Sequence, residues 1–408
     1  MTGTILKFVG VTLALTLGSA LAGQNREDPE GIPKPRGRVS FQNIGGVIVI
    51  PVRVNGSRPL HMILDTRMSA GVVFLFHSEL GQEIGLKYAR QVALAGAGGE
   101  KSRQTAQLAV GAEVMIGDLV QSNQTIIVAD EKRPDSRWSF DGVIGKSIFD
   151  AYVVEIDYHQ SLLVIHDPSQ YTPEDPETAI HLALKNGMPV IEAMIDTEEE
   201  KDIPVKLIID LGNRNTMVFN IQPAKKIHFP SRTLSTVIGR GVLGELTGKI
   251  GRLPKLRVGP FVLQEVIASF APEEGNTGAR PAGSVFDGNL GYGLLKEFKV
   301  VFDYPQQRLF FIPENEKFQP FEFNMLGISF EQRMDKSLQV RSVIDGSPAA
   351  ENEIQAGDII TSLNGRGLEE YEFRDVDRLL QEPDKEIDLS LKRDEKLIRL
   401  RLTLRRLI

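Results

Sequence analysis

The chain is built mainly from short apolar runs that glycine, proline, asparagine and aspartate interrupt. The clearest β-branched or aromatic runs lie at 47–54, 72–76, 125–128, 153–156 and 162–165. Helical periodicity is confined to brief stretches such as 78–85, 293–297 and 370–381. Apolar runs of this length bounded by turn residues are typical of strands. The pattern therefore predicts a mainly β protein whose strands form small closed or half-open barrels.

An internal repeat occupies the first three quarters of the chain. The sequence ILDTR at 63–67 recurs as IIDLG at 208–212, and FDGVIG at 140–145 recurs as FDGNLG at 286–291. The pair DY at 157–158 recurs at 303–304, and each second copy follows its first by 145 or 146 residues. Because three matches keep one order and one spacing, the sequence predicts two copies of one lobe.

The repeat brings one aspartate to the same place in each lobe. Asp65 and Asp210 both follow an apolar strand and precede a short loop. Two such loops can meet across a pseudo-two-fold axis, where carboxyl groups about 3 Å apart share one proton. One carboxylate can then activate a water while the other carboxyl group polarises a carbonyl. An isolated aspartate after a strand is more often a turn or cap residue, so this hypothesis depends on the duplication.

These motifs resemble those of the retropepsin-like aspartic peptidases. In that family a D-T/S-G motif is paired with a later apolar-apolar-glycine segment that holds the Asp loop. The resemblance covers about residues 40–315 and implies acid-protease-like β-barrel lobes with Asp65 and Asp210 as the catalytic pair. It also implies a set of supporting residues around the two loops: Thr66, Arg67, Gly145, Leu211, Gly212 and Gly291.

The resemblance further implies glycine-rich flaps near the cleft. The candidates are Gly96, Gly98 and Gly99 in the first copy and Gly239 and Gly241 in the second. The second sequence, GRGVLG at 239–244, also fits the dinucleotide pattern G-x-G-x-x-G. That pattern needs a following helix to receive the pyrophosphate, and the sequence after it predicts none. We therefore expect no dinucleotide and no other cofactor.

Two positions depart from the family motif. Arg67 stands at the first glycine position, and Leu211 stands at the second threonine position. A cation beside Asp65 favours its ionised form and opposes a shared proton. Two hypotheses therefore stay open: an aspartic endopeptidase, or a catalytically inactive pseudo-peptidase that binds polypeptide. A sugar hydrolase with paired carboxylates fits less well, because it explains neither the repeat nor the C-terminal motifs.

Residues 320–408 resemble a bacterial PDZ domain. The sequence MLGI at 325–328 matches the x-Φ-G-Φ loop, and AGDII at 356–360 with LNG at 363–365 matches the later family motif. The resemblance implies that Leu326, Gly327 and Ile328 receive the terminal carboxylate of a peptide through backbone N–H groups. The helix predicted at 370–381 would flank the groove. The implied partners are a polypeptide substrate and the C-terminal peptide of another protein.

Composition narrows the remaining partners and cofactors. The net charge is −7 with both signs interspersed, which argues against nucleic acid as the main partner. Cysteine is absent, and the six histidines lack any ligand spacing. We therefore expect neither disulfides nor a bound metal.

The N-terminus has the pattern of a targeting segment. Lys7 precedes an apolar run at 8–21, and the sequence ALA at 20–22 offers a cleavage site. The run is shorter than the roughly 20 residues that span a bilayer, so a signal peptide is favoured over a membrane anchor. We predict an exported protein, periplasmic or extracellular, with no membrane span after signal removal. The predicted segments are a signal peptide at 1–22, a linker at 23–39, lobes at 40–170 and 178–316, and the PDZ domain at 320–408.

Overall fold

The computed structural model describes most of the chain after residue 34. The described residues are 6–7, 35–68, 72–95, 105–130, 140–220, 227–241, 244–271, 286–333 and 335–408. The predicted signal peptide lies outside them, apart from a two-residue strand, β1 (Leu6–Lys7). No helix in these ranges is long and apolar enough to cross a membrane.

The first lobe is built on one curled nine-stranded sheet. Its elements are β2 (Gly37–Ser40), β3 (Gln42–Ile44), β4 (Val47–Val54), β5 (Leu60–Leu64), β6 (Val72–Leu75), α1 (Ser78–Glu83), β7 (Tyr88–Ala95), β8 (Thr105–Ile116), β9 (Leu119–Ala129), β10 (Gly142–Ile144), α2 (Lys146–Ala151), β11 (Val153–Asp157) and β12 (Leu162–His166). The sheet order is β1-β7-β8-β9-β6-β10-β5-β4-β3. Strand β4 pairs a second time with β8, so the sheet curls on itself around buried apolar side chains.

The second lobe repeats this plan with an eight-stranded sheet. A single 3₁₀ turn (Pro176–Thr178) precedes it, and its elements are β13 (Ile180–His181), β14 (Ala183–Lys185), β15 (Met188–Asp196), β16 (Ile203–Ile209), β17 (Met217–Asn220), β18 (Leu234–Gly241), β19 (Gly244–Val258), β20 (Phe261–Ala271), β21 (Gly288–Leu290), α3 (Tyr292–Leu295), β22 (Phe298–Asp303) and β23 (Arg308–Pro313). The sheet order is β14-β15-β16-β21-β17-β20-β19-β18, and β15 pairs again with β19.

Equivalent strand pairs confirm the predicted repeat. The strand before each aspartate pairs in parallel with the strand of the FDG segment: β5 with β10, and β16 with β21. Each of those short strands also pairs antiparallel with the strand after the Asp loop, β6 or β17. A six-stranded sheet joins the lobes through the antiparallel pair β11 and β22. The described chain is therefore mainly β, with two repeated acid-protease-like lobes, as predicted.

The C-terminal domain is a small α+β unit with its own core. Its elements are β24 (Ile328–Gln332), β25 (Leu338–Val343), α4 (Pro348–Glu351), β26 (Ile359–Leu363), β27 (Arg366–Gly367), a 3₁₀ turn (Leu368–Glu370), α5 (Phe373–Leu379), β28 (Glu386–Arg393) and β29 (Lys396–Thr403). The sheet order is β24-β25-β26-β28-β29, so β24 lies at one edge. Helix α5 is shorter than the predicted 370–381, because Tyr371 has an extended backbone that separates it from the 3₁₀ turn.

The C-terminal domain packs against the two lobes through α5 and the edge of β24. The rings of Tyr292 in α3 and Phe373 in α5 have centroids 6.0 Å apart. Nearby, Lys296 Nζ lies 2.7 Å from Asp377 Oδ2. The edge of the domain that carries β24 and α5 therefore faces the lobes.

Candidate active site

The two predicted aspartates stand at equivalent strand ends. The N–H group of Asp65, after β5, donates to the carbonyl oxygen of Ile144 at 2.9 Å. The N–H group of Asp210, after β16, donates to that of Leu290 at 2.8 Å. Both residues are buried, with 0% and 3% of their surface exposed. The repeat therefore delivers two carboxyl groups into the interior by the same backbone geometry.

Each carboxyl group is anchored by the backbone two residues further on. The N–H group of Arg67 donates to Asp65 Oδ1 at 2.7 Å, and that of Gly212 donates to Asp210 Oδ1 at 3.0 Å. This is the hydrogen bond of an Asx turn. Neither Arg67 nor Gly212 has a positive φ. The backbone therefore accepts a side chain at the family's glycine position, which explains how the first loop tolerates arginine.

Thr66 links the two Asp loops directly. Its Oγ1 donates to the carbonyl oxygen of Ile209 at 2.6 Å and accepts from the N–H group of Leu211 at 3.1 Å. Leu211 has no hydroxyl group to return the bond, and its side chain is buried in the apolar core instead. One threonine therefore connects both lobes at the level of the aspartates.

The two apolar-glycine segments lie directly against the Asp loops. A Cβ atom on Gly145 would overlap the carbonyl oxygen of Asp65. In the second lobe, a Cβ atom on Gly291 would overlap the carbonyl oxygens of Asn213 and Asn215. Because only glycine leaves room for this approach, these positions support the loops through packing rather than through side-chain chemistry.

Arg67 folds across the site toward the other lobe. Its Nη1 lies 3.1 Å from Asp210 Oδ2, and only 7% of the residue is exposed. Its Nε has no hydrogen-bond partner among the described residues. The arginine that departs from the family motif is therefore a buried counter-ion of the second aspartate.

The two carboxyl groups differ in their affinity for a proton. Burial raises the pKa of Asp65 well above its usual range, and the negative charge of Asp210 adds to this shift. Burial also raises the pKa of Asp210, but the charge and hydrogen bond of Arg67 oppose that rise. Asp65 Oδ2 has no hydrogen-bond partner among the described residues. Asp65 therefore has the higher affinity for a proton, and Asp210, beside Arg67, is the group that ionises first.

An acid and a base whose charges interact can perform general acid–base chemistry on a bound polar bond. The described residues contain no group of three or more His, Cys, Asp or Glu side chains placed to hold a metal ion. The chemistry that this site offers from its own residues is proton transfer.

Comparison with known families agrees with this geometry. A family model described as aspartyl protease matches residues 50–148 and 186–294, which together form just over half of the chain. The chain belongs to the aspartyl protease family. Each matched segment contains one of the two Asp loops and its apolar-glycine segment. A PDZ domain model matches residues 339–393, so the C-terminal domain of this aspartyl protease family member is a PDZ domain.

Individual relatives add little to the family assignment. No curated protein matches the chain. Among solved structures, a photosystem II D1 C-terminal processing protease matches with 22% sequence identity and a TM-score of 0.19. That match covers 20% of this chain and 23% of the other, so the chain spans about a quarter of that protein's length.

The predicted flaps of this aspartyl protease family member are described only in the second lobe. The first flap, with Gly96, Gly98 and Gly99, lies outside the described residues. Gly239 and Gly241 lie in β18, which forms a long antiparallel hairpin with β19. The predicted second flap therefore forms a hairpin. That this hairpin covers a bound substrate stays a prediction.

The polar run NRN at 213–215 has contacts that the motifs did not indicate. Arg214 Nη1 donates to the carbonyl oxygen of Phe330 in the PDZ domain at 2.7 Å. Asn215 Nδ2 donates to the carbonyl oxygen of Ile238 in β18 at 2.8 Å. In the first copy the residue equivalent to Asn213 is the apolar Met68. This difference between the copies is the feature of the sequence that sets the polar run of the second loop apart.

The predicted peptide-binding loop of the PDZ domain is closely packed. Leu326 and Ile328 are fully buried, and Gly327 has φ +81° with the Ser347 side chain where a Cβ atom would lie. The N–H groups of Gly327 and Ile328 donate to Asn324 Oδ1 at 3.0 and 3.1 Å. Two of the amides that would receive a carboxylate therefore already have a partner within the protein.

Proposed function

We propose that this chain is an exported aspartic endopeptidase that cleaves polypeptides. The observation that carries the proposal is the pair of buried carboxyl groups, Asp65 and Asp210, on equivalent loops that Thr66 ties together. Their unequal proton affinities support a division into one acid and one base. Membership of the aspartyl protease family supports the same reaction class.

In the proposed reaction a water molecule lies between the two carboxyl groups. Asp210 removes a proton from this water, and the water oxygen forms a bond to the carbonyl carbon of the peptide. Asp65 gives its proton to the carbonyl oxygen, so the tetrahedral intermediate is neutral. The intermediate then collapses, the C–N bond breaks, and the amine leaves with a proton from the dyad. No covalent bond to the protein forms.

Arg67 adds a condition to this mechanism. Its guanidinium group pairs with Asp210 Oδ2, and an ion pair makes the carboxylate a weaker base. We therefore propose that the structure represents a resting state, and that Arg67 leaves Asp210 when substrate binds.

The test is a cleavage assay with unfolded casein from about pH 3 to 7, a range that spans carboxyl titration. We expect Asp210→Asn to lower the rate by more than about a hundredfold, since it removes the general base. Arg67→Gly should cleave at an equal or higher rate. Asp388→Asn, on an exposed strand of the PDZ domain, is the matched control and should behave as wild type. Full activity of Asp210→Asn would contradict the proposed dyad.

A second function is favoured by the same ion pair. If Arg67 stays on Asp210, the cleft can bind polypeptide but cannot activate water, and the protein is a pseudo-peptidase. In that case wild type is inactive at every pH tested. Arg67→Gly should then lose stability, because the buried carboxylate of Asp210 would stand without its counter-ion.

Export is proposed from the N-terminal pattern alone. Lys7, the apolar run at 8–21 and the small residues at 20–22 fit a signal peptide. Mass spectrometry of the mature protein from the periplasm or the medium should then give an N-terminus at Gly23. A protein that keeps its first residues and stays in the cytoplasm would contradict export.

A further inference from the structure

Side chains of the protein itself close the free edge of β24. At the edge of a sheet, alternate residues direct their N–H and C=O groups outward, where an added peptide strand would pair with them. Asn324 forms hydrogen bonds with both backbone groups of Ile328. Its Oδ1 accepts from the N–H group at 3.1 Å, and its Nδ2 donates to the carbonyl oxygen at 2.6 Å. Asn324 thus makes the pair of hydrogen bonds that one residue of a bound peptide would make.

The next outward-facing residue of β24 is held by the second lobe. Arg214 Nη1 donates to the carbonyl oxygen of Phe330 at 2.7 Å, and the guanidinium group lies 5.4 Å from the centroid of the Phe330 ring. Arg214 follows Asp210 by four residues in the chain. From the first lobe, the N–H group of Gly45 donates to Gln332 Oε1 at 2.9 Å. Both protease lobes therefore hold the strand that a peptide would join.

The same surface of the PDZ domain contacts the second flap hairpin. The hydroxyl groups of Ser329 and Ser342 lie 2.7 Å apart, and that of Ser342 lies 2.9 Å from Thr236 in β18. Strand β18 is also bound by Asn215 through the carbonyl group of Ile238. Hydrogen bonds therefore connect β24 both to the loop after Asp210 and to the hairpin predicted to cover the cleft.

We propose that the PDZ groove is held closed by the protease lobes, and that a polypeptide with a free C-terminal carboxylate opens it by displacing Asn324 and Arg214. Because Arg214 belongs to the second Asp loop, occupation of the groove releases that loop and the β18 hairpin. The regulatory part of this inference rests on the proposed peptidase function. The closed groove itself does not.

The chemistry of the groove favours a carboxylate as the displacing group. Asn324 offers a neutral amide oxygen to two backbone N–H groups, and a carboxylate forms hydrogen bonds roughly twice as strong. The rings of Phe330 and Phe373 lie 6.3 Å apart between β24 and α5, so the peptide should carry an apolar side chain near its end. A crevice of about 920 Å³, lined in part by Arg214, Phe330 and Phe373, lies along this surface and is large enough for a short peptide segment. What is closed is the hydrogen-bonding edge of β24, because Asn324 and Arg214 occupy its outward backbone groups.

The first experiment measures binding to the full chain. The probe is a fluorescein-labelled decapeptide that ends in two valines, with either a free or an amidated C-terminus, followed by fluorescence anisotropy. We expect Arg214→Ala to bind the free acid about tenfold more tightly than wild type, because a competing charged hydrogen bond is removed. Arg401→Ala, an exposed arginine on the far strand of the same sheet, is the matched control and should bind as wild type. Amidation should abolish binding to every variant.

Melting temperatures check that the variants fold, and Arg214→Gln, which keeps most of the side chain, replaces Arg214→Ala if the latter is unfolded. Equal affinity of wild type and both Arg214 variants would overturn the closed groove. So would the absence of any binding of the free acid. Tighter binding by an Arg214 variant without cleavage by any form of the protein would support the closed groove and contradict the proposed peptidase instead.

The second experiment tests the coupling without using activity. Hydrogen exchange is measured on wild type with and without the free-acid peptide. We expect faster amide exchange in residues 210–215 and in β18 when the peptide is bound. Unchanged exchange in both segments at saturating peptide would overturn the coupling.

Discussion

The two Asp loops share one backbone geometry and differ in the surroundings of their carboxyl groups. In each, Oδ1 accepts from the N–H group two residues further on, and the residue is buried. Asp65 Oδ2 then has no partner among the described residues, whereas Asp210 Oδ2 faces the guanidinium group of Arg67. The duplication therefore places the two acids alike, and one side chain at the third motif position gives them different charges.

The second motif position differs in a similar way. Thr66 makes two hydrogen bonds to the other loop, while Leu211 contributes apolar packing. The link that this motif position makes between the lobes consequently depends on one hydroxyl group. At both motif positions the polar side chain that reaches the other lobe, Thr66 or Arg67, thus belongs to the first copy.

The largest expected effect comes from removing the charge of Asp210. Asp210→Asn leaves the buried guanidinium group of Arg67 without a counter-ion, and an uncompensated buried charge lowers the free energy of unfolding by about 3 kcal/mol. Urea denaturation at neutral pH measures this change.

A double variant separates the ion pair from other effects at the same position. Arg67→Met together with Asp210→Asn removes both charges at once, so it should recover most of the lost stability. If the double variant were as unstable as Asp210→Asn alone, the unpaired charge of Arg67 would not be the cause.

A smaller effect is expected from the link between the loops. Thr66→Val keeps the shape of the side chain and leaves the N–H group of Leu211 and the carbonyl group of Ile209 unpaired. The free energy of unfolding should fall by about 2 kcal/mol, since each unsatisfied buried group costs about 1 kcal/mol or more. Thr361→Val, on a PDZ strand with one longer hydrogen bond, is the control and should change stability less. An equal change in both variants would argue against the link.

Much of this arrangement follows from the sequence, because the strand pattern and each copy of the repeated motifs can be read from short stretches of the chain. The constant offset of 145 or 146 residues between the two copies predicts that Asp65 and Asp210 occupy equivalent positions. The parallel strand pairs β5–β10 and β16–β21 confirm this repeat. The apolar-glycine segments are predictable for the same reason. Glycine is required there by close backbone contact, and such contact recurs in both copies.

The direction of Arg67 could not be predicted from the sequence. A long charged side chain reaches its partner through several rotatable bonds, and the partner lies in the other lobe, 143 residues away in the chain. The contact between Arg214 and Phe330 is equally remote from any motif, because it depends on how the PDZ domain docks. The motifs predict the positions of the two aspartates, whereas the packing of the lobes and the PDZ domain determines which charged groups lie around them.

The smallest expected effect concerns Asp65 and the dependence of stability on pH. Because its pKa in the folded protein is raised, the folded state binds more protons than the unfolded state at pH values above about 3.9, the ordinary pKa of aspartate. The stability that Asp65 contributes is therefore complete below that pH and is lost as the pH rises through the raised pKa. Asp65→Asn removes this titration and the cost of burying an ionisable carboxyl group, while its amide oxygen can still accept from the backbone N–H group of Arg67.

At neutral pH the free energy of unfolding of Asp65→Asn should exceed that of wild type by about 1 to 2 kcal/mol, and its decrease from about pH 5 to 7 should be shallower. This window avoids Asp141, whose pKa is lowered to about 2 and whose contribution is lost only as the pH falls toward that value. Asp65→Asn is thus expected to raise the free energy of unfolding, whereas Asp210→Asn is expected to lower it. The two substitutions together therefore test whether Arg67 distinguishes the loops. Equal losses of stability in both variants would mean that Asp65 also depends on a counter-ion, and the assignment of one protonated and one ionised aspartate would be wrong.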